Sequence, residues 1–116
     1  MISLLIPIYN FDVRGFVSSL HSECKAVNLE FEILCFDDAS TIQFKTLNRK
    51  VGELHGVVYR ELDENHGRAA IRNLLAASAR HPLLLFMDCD GKVKTGDFVR
   101  RYLEASDGLS VICGGR

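Results

Sequence analysis

The feature that most restricts how this chain can fold is a repeated alternation. Short runs that are apolar at nearly every position are each followed by a segment whose apolar residues fall three and four apart. Residues 2–8 open the series and close at Tyr9 and Asn10. A strand that is apolar on consecutive positions is buried on both faces, the condition of a parallel sheet covered by helices. Val13, Phe16, Val17, Leu20, Cys24 and Val27 then recur at helical spacing, so that segment lays one stripe on the sheet. Residues 31–36 read as a second buried strand, 42–54 as a helix with its stripe at Ile42, Phe44, Leu47, Val51 and Leu54, and 57–62 as a third strand. Gly67 opens an alanine-rich helix running to about Arg80, where His81 and Pro82 stop it because a residue before proline avoids the helical region. Residues 83–87 form the most hydrophobic strand; a helix over 97–105 and a short strand over 109–113 complete the pattern. Strands alternating with helices of this length imply right-handed crossovers. The expected fold class is therefore α/β, a doubly wound, mostly parallel sheet with helices on both faces.

Composition bounds the size and the partners. A chain of 116 residues fits one domain, and a domain of that size buries roughly 65% of the surface its unfolded form exposes. With 47% hydrophobic and 25% charged residues, disorder is excluded. Fourteen basic residues balance fifteen acidic ones and are scattered, which leaves no electrostatic footprint for nucleic acid. Cys24, Cys35, Cys89 and Cys113 never approach C-x-x-C spacing and mostly lie in or beside apolar runs. They read as reduced core residues of a cytoplasmic protein, not a zinc site. No stretch approaches the roughly 18 apolar residues of a membrane span, and no signal-type segment opens the chain. A membrane association would have to come from a part of the protein not contained in this sequence.

In an open sheet of this kind ligands bind beyond the carboxyl ends of the strands, near the point where strand order reverses. Those ends carry Tyr9 and Asn10, then Asp37 and Asp38, then Asn65 to Arg68, then Asp88 and Asp90. Four acidic groups on one edge repel one another, and a divalent cation is the simplest compensator. Asp88 and Asp90 leave a strand with Cys89 between them; as hard oxygen ligands they suit Mg²⁺ or Mn²⁺, with water and phosphate filling the other positions. Read alone, a D-x-D more often caps a helix or turn, and its place after the most hydrophobic strand is what favours a functional role. Asp37 and Asp38, followed by Ala39 and Ser40, read either as a capping cluster for the next helix, with Asp38 or Ser40 accepting N–H bonds, or as a carboxylate that accepts the ring N–H of a base, which uracil offers and cytosine does not. Gly67 and Arg68 stand at a helix start that attracts anions, a plausible diphosphate or ribose clamp with Arg72 one turn on; Arg72 as a scaffold ion pair is the competing reading. His21, His55, His66 and His81 fall on expected helix surfaces or loops and receive no role.

Taken together and in order, the stretch from Leu4 to Asn10, the stretch from Ile33 to Thr41, Asn65 to Arg68 with Ala70, Arg72 and Asn73, and the stretch from Leu84 to Asp90 resemble the N-terminal half of family 2 glycosyltransferases of the GT-A fold. The resemblance covers nearly the whole chain. It implies that residues 1–116 are the nucleotide-sugar-binding portion of the domain, with the acceptor-binding part absent. It implies that Pro7 and Tyr9 floor and stack the base, with Asn10 beside them; that Asp37 or Asp38 reads the base; that Gly67 and Arg68 lie by base or phosphates; and that Asp88 and Asp90 hold ribose and metal, Asp90 as the direct ligand. The implied chemistry is inverting transfer from a nucleotide-sugar donor, preferably a UDP-sugar, to a glycan or lipid-linked acceptor in polysaccharide biosynthesis, with a carboxylate base in the half not present. Such a chain is expected to bind donor weakly, transfer nothing by itself, and self-associate through the apolar surface its missing half would cover. Gly91 stands where many relatives place a further acid, so the metal shell is expected to be thinner.

Two other classes share pieces of the pattern. Phe86 to Val93 also looks like the nucleophile motif of haloacid-dehalogenase-type phosphatases, with Asp88 attacking phosphorus and Asp90 as acid/base, but that motif ordinarily opens its domain. A receiver-like signalling domain has an acidic pair after an early strand and another Asp after a middle one, but it wants a lysine after its last strand, and none stands there.

Overall fold

A computed structural model of the chain describes residues 2–26, 30–81, 83–87 and 111–114. The five strands form one sheet in the order β3-β2-β1-β4-β5, every neighbouring pair parallel. They are β1 (Ile2–Ile8), β2 (Phe31–Asp37), β3 (Val57–Glu61), β4 (Leu83–Met87) and β5 (Val111–Gly114). The helices are α1 (Arg14–Ala26), α2 (Ile42–Asn48) and α3 (Arg68–Ser78).

The period-2 rule for strands divides the core in two. Ile2, Leu4, Ile6 and Ile8 of β1 join Ile33 and Cys35 of β2 and Leu85 and Met87 of β4 in a layer closed by Val13, Val17, Leu20 and Cys24 of the α1 segment. Leu5, Leu34 and Phe36 point the other way and meet Ile71 and Leu75 of α3. The sheet is thus covered on both faces. Leu4, Leu5 and Ile6 are 0% exposed, and each such burial is worth roughly 1.5–3 kcal/mol. The chain walks outward from β1 through β2 to β3 on the α1 side, then crosses back over the opposite face by way of α3 to reach β4 on the far side of β1. The switch point therefore lies between the carboxyl ends of β1 and β4. A receiver domain has the order 2-1-3-4-5 instead, so the topology excludes that alternative.

Several boundaries depart from the sequence expectation. The helix over 42–54 stops at Asn48, and Arg49–Glu53 tightens into a 3₁₀ turn. A side chain at Gly52 would meet Tyr59 Cβ at 3.4 Å, so the tighter turn lies close against β3. α3 ends at Ser78, and Ala79 turns extended (φ −68°, ψ 139°). The reason is tertiary: the N–H of Arg80 donates to Glu32 Oε2 at 2.6 Å and its Nε–H to Oε1 at 3.3 Å. Glu32 is 2% exposed and also accepts the Ser3 hydroxyl at 2.7 Å, so a buried carboxylate ends the helix and ties it to β1 and β2. His21, expected on a surface, is buried; its ring meets Phe31 edge-on at 5.8 Å, and Nε2 lies 2.8 Å from the His55 carbonyl. Of the expected strand over 109–113, the described part begins at Val111 and runs on to Gly114. The expected helix over 97–105 lies outside the described residues. Cys24 and Cys35 are buried in the core, and burial, with the Glu23 charge second, pushes the Cys24 thiol up to about 12.

Candidate functional site

Pairing between β1 and β4 runs from Ile2 opposite Leu83 to Leu5 opposite Phe86 and stops there, whereas pairing with β2 continues to Ile8 opposite Asp37. Pro7, which has no N–H to give a ladder, lies beyond the last described β1–β4 pair. In open α/β sheets the crevice that takes ligands lies at this end, at the switch point, and three described loops stand around it.

The first loop follows β1. Tyr9 is 56% exposed there, and Asn10 adopts a left-handed backbone (φ 48°). The second is the turn after β2, where Ala39 is also left-handed (φ 64°), a conformation costing roughly 1–2 kcal/mol in a residue with a Cβ. The two turns hold each other. The N–H of Asn10 donates to Ser40 Oγ at 2.8 Å, and the N–H of Thr41 donates to Asn10 Oδ1 at 2.9 Å. Deeper down, the Asn48 amide accepts from the Val13 N–H at 2.9 Å and donates to the Phe11 carbonyl at 2.7 Å, and Asn48 is 0% exposed.

The third loop leads into α3. Here the capping reading of the acidic pair takes an unexpected form. Asp38, 5% exposed, accepts the N–H of His66 at 2.7 Å on one oxygen and the N–H of Gly67 at 3.0 Å on the other, while its carbonyl accepts Asn65 Nδ2–H at 3.1 Å. It caps, but the loop it caps belongs to α3, 28 residues away in sequence. Gly67 is the N-cap of α3 at φ 87°, so the chain enters the helix through a conformation that glycine adopts freely. The α2 start, by contrast, has Thr41 as its N-cap with no side-chain cap bond, so neither Asp38 nor Ser40 serves that helix. Asp37 is 0% exposed; one oxygen accepts the Ser40 N–H at 2.8 Å, and Oδ1 is buried with no hydrogen-bond partner among the described residues. Burial, then the charges of Asp37 and Glu61, push the nearby Tyr59 phenol above its ordinary value.

Pro7, Tyr9, Asn10, Asp37, Asp38, Gly67 and Arg68 are thus gathered at one end of the sheet, with Arg68 exposed as the first residue of α3. Arg72 lies with its guanidinium 4.7 Å from the centre of the Phe86 ring, a packing contact across α3 and β4. Asp88 and Asp90 lie outside the described residues, immediately after β4 ends at Met87. Among the described residues no group of three His, Cys, Asp or Glu side chains is placed to hold a metal. Sequence reasoning passed over Asn48, although the signal is present: Phe44, Asn48 and Val51 follow helical spacing, and a polar residue on an apolar stripe marks a buried, satisfied amide.

The family profile described as Glycosyl transferase family 2 matches residues 3–116. The chain is 27% identical over 114 residues to the glycosyltransferase YfnE of Bacillus subtilis (strain 168), covering 97% of this chain and 29% of that protein. Among solved structures, TarS of S. aureus, residues 1–349, superposes with a TM-score of 0.73 at 23% identity over 92% of this chain and 32% of that one. The mannosyltransferase PcManGT of Pyrobaculum calidifontis, in complex with GDP-Man and Mn²⁺, gives 0.78 at 18% identity over 89% and 31%. TarS is also solved in complex with UDP-GlcNAc. The chain spans less than a third of the length of each of these relatives.

Proposed function

Because this chain belongs to glycosyl transferase family 2, whose profile it matches over residues 3–116, we propose that its crevice binds the nucleoside diphosphate of a sugar donor, and that residues 1–116 are the donor-binding portion of a transferase whose acceptor site and catalytic base lie elsewhere. The observation that carries this reading is the convergence of three cross-tied loops on the switch point between β1 and β4. Tyr9, exposed at the entrance, offers a ring for a base to stack on, with Pro7 and Asn10 beneath and beside it. Asp37 or Asp38 accepts the base N–H; Asp37 has a buried oxygen with no partner among the described residues. Arg68, at the positive end of α3, lies by the phosphates. UDP is the favoured nucleotide because a carboxylate suits the uracil N–H, and TarS bound to UDP-GlcNAc supports it.

Asp88 and Asp90 follow the interior strand β4 directly in sequence and would hold a divalent cation, Mg²⁺ or Mn²⁺, with Asp90 as direct ligand; Mn²⁺ accompanies GDP-Man in the mannosyltransferase. When bound, that ion neutralises charge gathering on the departing diphosphate. In the inverting reaction an acceptor oxygen bonds to the anomeric carbon as the bond from that carbon to the diphosphate oxygen breaks, and the acceptor proton passes to a carboxylate base outside this sequence. The acceptor is a glycan or lipid-linked saccharide. The chain by itself binds donor and transfers nothing.

Calorimetric titration with uridine, guanosine, thymidine and adenosine diphosphates, with and without Mn²⁺, tests this. Saturable binding of one diphosphate that requires Mn²⁺ and vanishes in Asp90→Ala is the expected result. If the full-length protein binds none of the four under either condition, the donor-site reading is wrong.

A further inference from the structure

We infer that Asn48 is a positioning residue of the donor site: its buried amide sets the loop that carries Tyr9, although Asn48 itself stands on α2 and faces no ligand. This rests on the donor-site reading above. The loop from Tyr9 to Val13 connects β1 to α1 and borders the crevice, and its side chains at Tyr9 and Phe11 are 56% and 38% exposed, so packing of those two rings does little to hold it. It is held by hydrogen bonds at both ends. At the crevice end Asn10 trades bonds with Ser40 and Thr41; at the helix end Asn48 takes the Val13 N–H and gives its own N–H to the Phe11 carbonyl.

The two anchors differ in a telling way. A main-chain N–H and C=O two residues apart are satisfied by the O and N of one primary amide, which offers an acceptor and a fixed donor on neighbouring atoms in one plane. With Asn48 at 0% exposure, removing the amide leaves the Val13 N–H and the Phe11 carbonyl without their partner, and the segment must move to reach water. Val13 is anchored in the core, so the movement falls on residues 11 and 12 and is passed to Asn10, whose left-handed backbone already depends on a second pair of bonds. A base stacking on Tyr9 would then have to re-order the loop before binding, and affinity falls by the fraction of molecules that hold the competent loop.

The test is a double-mutant cycle on nucleoside diphosphate affinity in the full-length protein, using uridine diphosphate with Mn²⁺ and Asn48→Ala, Tyr9→Ala and the pair. Asn48→Ala is expected to weaken binding about tenfold in the Tyr9 background and to change it little once Tyr9 is already alanine, because the two act through one loop. A structural role unconnected with Tyr9 gives equal losses in both backgrounds and overturns the inference, as does an unchanged affinity in Asn48→Ala. If Asn48→Ala does not yield folded protein, Asn48→Asp replaces it: that variant retains the acceptor for Val13 and sets an oxygen against the Phe11 carbonyl, and a loss of at least about threefold, again dependent on Tyr9, is expected. Failure of the wild-type protein to bind any nucleoside diphosphate overturns the donor-site reading and this inference with it; wild-type binding with additive or absent effects overturns this inference alone.

Discussion

One carboxylate orders two distant stretches of chain at Asp38. Both of its oxygens are committed to N–H groups just ahead of α3, and its own N–H donates to the Ile8 carbonyl at 2.8 Å. An asparagine there presents one oxygen and one NH₂, so either His66 or Gly67 faces a donor instead of an acceptor. Asp38→Asn is expected to cost roughly 1–3 kcal/mol of stability, read as a lower urea midpoint with the slope unchanged, and to weaken nucleotide binding. A variant with wild-type midpoint would show that the loop finds other acceptors. The acidic pair was visible in the sequence, and so was its ambiguity; what one sequence does not reveal is the identity of the capped segment, because the partner N–H groups lie 28 and 29 residues away. Asn48 was harder still, since its partners are main-chain groups that any residue would supply.

Elements are joined across their ends as well as through their apolar faces. The 3₁₀ turn after α2 is linked to β3 by Arg49 and Glu61, with Nε to Oε2 at 2.7 Å and Nη2 to Oε1 at 3.0 Å. The Arg49 hydrogen bond holds the Glu61 carboxyl below the usual glutamate range. A carboxyl depressed in the folded state contributes stability that is present above its unfolded value and is lost as pH falls through the folded one. Arg49→Ala should therefore lower Tm near pH 6 and differ less from wild type near pH 3, with the gap at pH 6 also shrinking in salt. With the Arg49 side chain 53% exposed the effect is small, so a gap constant across pH would show that packing of the arginine stem, not its charge, matters. At this scale the strands were the most legible part: β1 has the expected limits, and β2 and β3 each differ by one residue, because continuous apolar runs have few other uses in a short domain. Helix ends were the least legible. α3 is cut short by Glu32, and nothing in the residues near Ser78 announces a glutamate 46 positions earlier in the chain.

Across the whole molecule the sheet has a graded interior. β1 is paired on both sides and covered by apolar layers on both faces, whereas β3 forms one edge, with Val58 48% exposed. Amide exchange should accordingly be slowest in β1 and faster in β3, with the N–H groups of Asn10, His66 and Gly67 protected because each has an acceptor in the turn after β2. Equal protection of β1 and β3 would contradict that ordering. The α/β class and the two-faced covering followed from the alternation of strands and helices, and the order of the strands did not: periodicity assigns a residue to a face, not a strand to its neighbour. The turn at residues 37–41 carries one consequence of a different kind. Its bonds to the flanking loops are received mostly from main-chain groups, those of residues 10, 66 and 67. The side chains at Tyr9 and Phe11 take no part in those bonds and stand 56% and 38% exposed, so they can be exchanged while the frame keeps its shape. A lineage built on this chain can rewrite the surface at those two positions without redrawing the architecture beneath it.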